Sequence, residues 1–305
     1  MDTLKRLSDT FNCSKTLPLD NKSKYVIMSD CHRGSGNQGD NFLPNANIFT
    51  AALTNYYNRG FCYIELGDGD ELWENQTMKQ IIEVHNTTFR ILSKFYEDNR
   101  FYMIYGNHDM LKKSQKYLCD NCEKYYCEEL KENCDLFPGL DVYEGLVLYD
   151  DSNQDKIFLT HGHQGDFLND TAWKLGRFLV RYLWRRLELL GINDPTRTAV
   201  NSNKKNKVER KLMEWSSQNN QMLIAGHTHR PSFPKIGEIM YFNDGSCVHP
   251  RSITAIEIEN GSIALVKWRI MTRDDASLYV GREILAGPVC LRDYFDYSRH
   301  FRNNL

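Results

Sequence analysis

No apolar run in this 305-residue sequence approaches the roughly 20 residues that a membrane-spanning helix needs. The first residues, MDTLKRLSDTFNCSKTLPLD, carry basic side chains with no apolar stretch behind them, so they do not read as a secretory signal. Neither sign of charge is in surplus: 38 Lys and Arg stand against 40 Asp and Glu, for a net charge of −2 and a pI near 6.5. That balance exerts no global pull toward nucleic acid or an anionic surface. Proline is scarce, at 8 residues, and the chain shows no internal repeat or low-complexity tract. Cysteine numbers nine, an odd count that argues against a disulfide framework and for a reducing cytoplasm. What remains is an ordinary globular composition, 41% hydrophobic and 26% charged, sufficient for one large domain or two small ones.

Five short apolar runs each end in a knot of Asp, Asn, His and Gly: YVIMSDCH (Tyr25 to His32), FCYIELGDGDE (Phe61 to Glu71), FYMIYGNHD (Phe101 to Asp109), KIFLTHGH (Lys156 to His163) and QMLIAGHTH (Gln221 to His229). Their length and their β-branched and aromatic content predict buried strands. Between them, Asn45 to Arg59 and Thr77 to Tyr96 carry apolar residues at helical spacing. The alternation predicts an α/β fold with a mostly parallel sheet, whose chemistry gathers beyond the carboxyl ends of the strands. Asn260-Gly261, between two alternating apolar runs, predicts a hairpin.

The strand ends supply metal ligands. Asp30 and His32 leave one strand end with a single residue between them, and Asp68 has two oxygens with which to bridge two ions. Asn107 offers an amide oxygen; His161, His227 and His229 offer imidazoles, and His163 competes with His161 for one ligand position. A mixed oxygen and nitrogen set suits Mn, Fe, Zn, Co or Ni, with manganese the first expectation.

The series Asp-x-His, Gly-Asp-x-x-(Asp/Glu), Gly-Asn-His-Asp, His-Gly and Gly-His-x-His resembles the calcineurin-like metallophosphoesterase superfamily from about Tyr25 to about Trp268. The resemblance implies a four-layer α/β/β/α sandwich and a binuclear centre with a bridging hydroxide as nucleophile. Asp30, His32, Asp68 and His229 would hold one metal, and Asp68, Asn107, His161 and His227 the other. It further implies His108 as the group that meets the phosphate or leaving oxygen, with Asp109 orienting it. The implied activity is hydrolysis of a phosphoester or pyrophosphate bond. A phosphomonoesterase or protein serine/threonine phosphatase is the alternative, and a non-catalytic scaffold on the same fold is the rival from another class. The second motif lacks the arginine that is usual in protein phosphatases. GDGDELW and GHTHRP look more like the UDP-2,3-diacylglucosamine hydrolase branch, although His161-Gly-His-Gln-Gly-Asp166 stretches that branch's His-Gly-Asp.

The expected catalytic domain spans 22–270 and carries two insertions, a cysteine-rich one at 112–138 and a helical cap at 166–215, with a C-terminal extension at 271–305. Cys119, Cys122, Cys127 and Cys134 fit no common zinc template closely, so reduced surface thiols are the preferred reading over a zinc knuckle. In the cap, Lys174, Arg177, Arg181 and Arg185 fall on one helical face opposite Leu175, Leu179 and Leu183. That face either holds substrate phosphates, through Arg177 and Arg181 together with Arg230 of the last motif, or lies solvated; it also suits a peripheral membrane contact. A phosphorylated small-molecule or lipid-linked substrate is the expected partner, and nucleic acid is not.

Overall fold

The computed structural model describes residues 3–37, 39–75, 77–127, 131–165 and 202–303. The chain opens with helix α1 (Thr3–Cys13) and strand β1 (Lys15–Pro18). Strand–helix units follow: β2 (Lys24–Met28) with α2 (Ala46–Asn58), then β3 (Cys62–Leu66) with α3 (Met78–Val84) and α4 (Asn86–Glu97). Next come β4 (Phe101–Ile104), α5 (Gln115–Cys122), and a small hairpin of β5 (Lys124–Cys127) and β6 (Glu132–Asp135). Strands β7 (Val142–Tyr143), β8 (Gly145–Asp150) and β9 (Asp155–Thr160) complete the first half. Beyond residue 201 lie α6 (Ser202–Asn219), β10 (Met222–Ala225) and β11 (Tyr241–Asn243). The chain closes with β12 (Ser252–Glu259), β13 (Ser262–Thr272), β14 (Leu278–Cys290) and α7 (Leu291–Asn303).

Two sheets face each other. One has seven strands in the order β14-β13-β12-β2-β3-β4-β7, the other five in the order β1-β8-β9-β10-β11. Strands β2, β3, β4 and β7 run parallel, as do β9, β10 and β11, so five ligand-bearing carboxyl ends meet at one rim. Period-two alternation explains the layering. In β2, Val26 and Met28 face α2 and α4, whereas Tyr25 and Ile27 face the second sheet. The inter-sheet layer adds Ile64, Leu66, Ile104, Leu159 and Ile224, all fully buried. On the far side Leu7, Leu212 and Trp215 press α1 and α6 onto Phe158 and Leu223. The result is the expected α/β/β/α sandwich.

Where the structure departs from the sequence reading, the cause is local. Thr77 to Tyr96 forms two helices, not one, because His85 (φ −103, ψ 31) breaks the run. Its buried imidazole lies 2.8 Å from Asp40 Oδ2, a bond that an exposed helical histidine would not reach. The hairpin at Asn260-Gly261 holds, with φ of 53 and 69 at the two turn residues, as a tight right-twisted ribbon requires. Residues on either side of the expected 22–270 domain also belong to the sandwich. β1 pairs with β8, β14 pairs along β13, and Leu291, Tyr294 and Phe295 sit in the inter-sheet core. In the cysteine-rich segment, Cys119 is exposed and Cys122 is buried, with burial pushing the Cys122 thiol up to about 12. Among the described residues no metal-holding group includes Cys119, Cys122 or Cys134. Most of the expected cap, with Lys174, Arg177, Arg181 and Arg185, lies outside the described residues. Among those described, no helix is long and apolar enough to cross a membrane.

Candidate metal centre

Each ligand turn follows a buried strand and reverses sharply. Asp30, His32, Asp68, His227 and His229 all have positive φ, between 48 and 67. A non-glycine residue held there costs about 1–3 kcal/mol, and such strain concentrates at working sites. Two glycines make room. A Cβ on Gly67, itself at φ 90, would fall 2.5 Å from His161 Cγ. One on Gly106 would fall 2.1 Å from Asp68 Oδ1.

The structure brings the predicted residues together in two groups that flank Asp68. In the first, His229 Nε2 lies 2.9 Å and His32 Nε2 3.6 Å from Asp30 Oδ1, and His32 Nε2 lies 3.9 Å from Asp68 Oδ2. In the second, His161 Nε2 lies 3.1 Å from the same Asp68 oxygen, and His227 packs edge-on against His161. Among the described residues, Asn107 Oδ1 and His227 Nε2 are buried without a hydrogen-bond partner, and Asp30 Oδ1, His32 Nε2 and His161 Nε2 meet only the carboxylates and imidazoles of the cluster itself. Burying unsatisfied polar atoms is costly, and two carboxylate–imidazole groups, Asp30 with His32 and His229 and Asp68 with His161 and His227, fit divalent cations bound among them.

The remaining atoms of these side chains are engaged, which fixes their orientation. His161 Nδ1 donates to the Leu66 carbonyl (2.9 Å), which leaves Nε2 as the nitrogen turned toward Asp68. Asp30 Oδ2 accepts from the His227 amide (2.8 Å), and Asp68 Oδ1 accepts from the His108 amide (2.8 Å). Asp244, in the turn after β11, shares Ser29 with Asp30, Ser29 Oγ donating to it at 2.7 Å. His163 is fully buried, its ring centroid 5.6 Å from that of His161, and the structure gives the place beside Asp68 to His161.

Protonation without metal follows this crowding. Burial alone would raise the Asp30 carboxyl, but His229 and His161 hold it well below the usual range. Burial likewise opposes ionisation of Asp68, which His161 and His108 hold down. His161 resists the effect of burial because of Asp68 and Asp30 and rises to about 9. His227, buried beside His161, falls to about 3.

His108 sits at the lip, with its side chain 21% exposed where Asp30, Asp68 and His161 are at 2% or less. It stacks on Trp73 (centroids 4.4 Å apart) and stands edge-on to His32 (4.7 Å). The expected Asp109 partner is corrected: the group beside His108 Nδ1 is Glu71, at 2.7 Å. Glu71 also lies 3.2 Å from His32 Nδ1, tying the first metal group to the lip. Asp109 turns away, accepting from the Gly106 and Gly69 amides and pairing with Lys112. Adjacent residues on one turn point to opposite sides, which chain proximity hides. Glu71 occupies the fifth position of the Gly-Asp-x-x-(Asp/Glu) string, the one signal from which it was recoverable. Arg230, 42% exposed, reaches Asn206 Oδ1 (2.6 Å) and the Glu209 carboxylate (3.8 Å) on α6. Arg177 and Arg181 lie outside the described residues.

Facing sheets with a carboxylate–imidazole cluster at their shared rim define the phosphoesterase type of α/β sandwich. The chain belongs to the calcineurin-like phosphoesterase superfamily, whose domain profile matches residues 24–264. No curated protein matches the sequence. Among solved structures it is similar to Vps29 of Chaetomium thermophilum, at 12% identity over 86% of this chain and 96% of that one, with a TM-score of 0.40. The same protein complexed with a RaPID-derived cyclic peptide aligns at 11% identity over 87% and 97%, with a TM-score of 0.35. Neither likeness bears on substrate.

Proposed function

We propose that this chain hydrolyses phosphoester or pyrophosphate bonds with two divalent ions, manganese first among the candidates. The observation that carries this reading is the pair of carboxylate–imidazole groups, Asp30 with His32 and His229 and Asp68 with His161 and His227. Asp30, His32, Asp68 and His229 would hold one ion, and Asp68, Asn107, His161 and His227 the other. When bound, the pair supplies an acidified water and neutralises phosphate oxygens. The protein's own part is positional. Glu71 holds Nδ1 of His108, leaving Nε2 for the phosphate or leaving oxygen, and Trp73 fixes the ring plane.

The substrate we favour is a phosphodiester or pyrophosphate linked to a nucleotide or lipid. Support comes from motif strings that look more like the UDP-2,3-diacylglucosamine hydrolase branch and from the basic pattern that the sequence alone predicts over 174–185, which also suits peripheral membrane contact in the cytoplasm. The test is hydrolysis of bis(p-nitrophenyl) phosphate beside p-nitrophenyl phosphate, before and after chelation and manganese reconstitution. Expected is manganese-dependent diester cleavage that His108→Ala slows by about 10²–10⁴-fold. Chelated protein should stay folded but inactive. A protein that binds two metal equivalents yet turns over neither compound, nor a nucleotide diphosphate-linked lipid, would overturn the hydrolase reading and favour a scaffold.

A further inference from the structure

Directly beneath the ligand turns lie five charged side chains, each 1% exposed or less. Arg33 forks onto Glu65, both contacts at 2.8 Å, and donates from Nε to Asp70 Oδ1 at 2.7 Å. Lys112 Nζ lies 2.5 Å from Asp70 Oδ2, 3.0 Å from Asp109 Oδ2 and 3.9 Å from Glu65 Oε1. Glu65, Asp70 and Asp109 are spaced so that they could hold a cation. Here the Lys112 ammonium is that cation, and the trio is not offered to a metal.

The sequence positions of these residues carry the argument. Arg33 follows His32, Glu65 lies three residues before Asp68, Asp70 lies two after it, and Asp109 follows His108. The network therefore grips all three turns that the seven-stranded sheet contributes to the site. The backbone repeats the grip: Arg33 N–H donates to the Gly69 carbonyl (3.0 Å), and the Glu71 amide donates to the Arg33 carbonyl (3.0 Å). Even Gly69 is required, since a Cβ there would fall 2.1 Å from Glu65 Oε1 and 2.6 Å from Arg33 Nη2.

Buried ion pairs are a poor source of stability. Desolvation consumes most of their attraction, and apolar replacements of similar volume are often neutral or better. A five-member network under strained ligand turns calls for another account. We infer that Arg33, Glu65, Asp70, Asp109 and Lys112 form a positioning network that sets the relative placement of Asp68, His32 and His108. This rests on the two-metal reading above.

The test uses the full chain with metal removed, comparing the parent, Arg33→Met, and Arg33→Met/Glu65→Gln. Removing Arg33 strands the buried Glu65 carboxylate, which Lys112 reaches only at 3.9 Å, so the single variant should melt well below the parent. The double variant removes both members of the fork, leaves Lys112 between Asp70 and Asp109, and should recover its melting temperature. If the network served stability alone, metal binding would recover with it. Expected instead is manganese affinity, read by calorimetric titration, that stays about 10–100-fold weaker in the double variant. Its kcat on bis(p-nitrophenyl) phosphate should fall with KM little changed. Parent-like manganese titration and kcat in the double variant would overturn the inference, and so would its failure to fold, since the network would then be structural. A parent that binds no manganese overturns the two-metal reading itself, and this inference with it.

Discussion

Glu71→Gln is the sharpest probe of the lip. The carboxylate is 5% exposed, and Oε2 lies 2.7 Å from His108 Nδ1 and 3.2 Å from His32 Nδ1. Its other oxygen accepts from the Trp73 amide at 3.1 Å, so the side chain is held at both ends. Glutamine keeps the volume and one acceptor but loses the charge that raises the His108 imidazole against the effect of burial. A hydrogen bond to a charged group contributes about 1.5–3 kcal/mol. Losing most of one such interaction in the transition state should slow turnover by about 10–100-fold, since each 1.4 kcal/mol is tenfold. The assay is kcat and KM for bis(p-nitrophenyl) phosphate at saturating manganese, with Glu71→Gln, His108→Ala and their double variant. The share of the loss that Glu71 exerts through His108 should vanish once His108 is gone, so the two losses should not multiply in the double variant. A Glu71→Gln enzyme within twofold of the parent, or losses that multiply in the double variant, would refute the pairing.

Two further outcomes follow from packing and charge. Gly106→Ala puts a methyl 2.1 Å from Asp68 Oδ1 and 2.5 Å from the Asp68 backbone nitrogen, which cannot both yield. The protein should lose about 1–3 kcal/mol of stability, read in urea melts, and its manganese affinity should collapse; unchanged affinity would refute a shared Asp68 ligand. Asp40 is a pH probe outside the candidate ligand groups. Burial would raise its carboxyl, but the His85 bond and the Gly36 amide hold it below its ordinary 3.8. A depressed carboxyl contributes stability that is intact above its unfolded value and lost as the pH falls through the folded one. Asp40→Asn should therefore melt below the parent at pH 7, with the gap closing below pH 3.8; a gap that stays constant with pH would contradict the pairing.

The candidate ligand set was legible because each of its residues follows a short apolar strand, and strand, glycine and candidate ligand lie within a few residues of one another. Local chemistry of that kind survives in sequence order. The layered sandwich was legible through the resemblance, and the strands through their composition. What could not be read depends on which way neighbouring side chains point. Asp109 adjoins His108 in the chain yet faces Lys112, while Glu71, distant in sequence, faces His108. The charge network was hidden for the same reason, since Arg33 and Asp70 look like solvated turn residues until β2 and β3 pair and bury them. The helix break at His85 needed Asp40, which arrives from a separate loop.

The centre's strain and its hydrogen bonds together predict a site assembled before metal arrives. Each left-handed ligand residue is unfavourable by itself, so something must hold five of them at once. The holding is mutual. The Asp30 amide donates to the Gly67 carbonyl (3.0 Å), the His32 amide to the Asp68 carbonyl (2.9 Å), and the Gly226 amide to the His161 carbonyl (3.1 Å). The His227 amide donates to Asp30 itself. Each ligand turn is thus bonded to the next, across both sheets, through groups that a cation does not use. Small metal domains whose ligands are not pre-placed fold only when the ion binds. Here three apolar layers carry the fold and the turns brace one another, so ion binding meets a rim already in place. Chelation should then abolish turnover and lower the melting temperature while leaving the far-ultraviolet circular dichroism of the folded protein unchanged. Loss of that signal on chelation would place the assembly of the turns after metal binding instead.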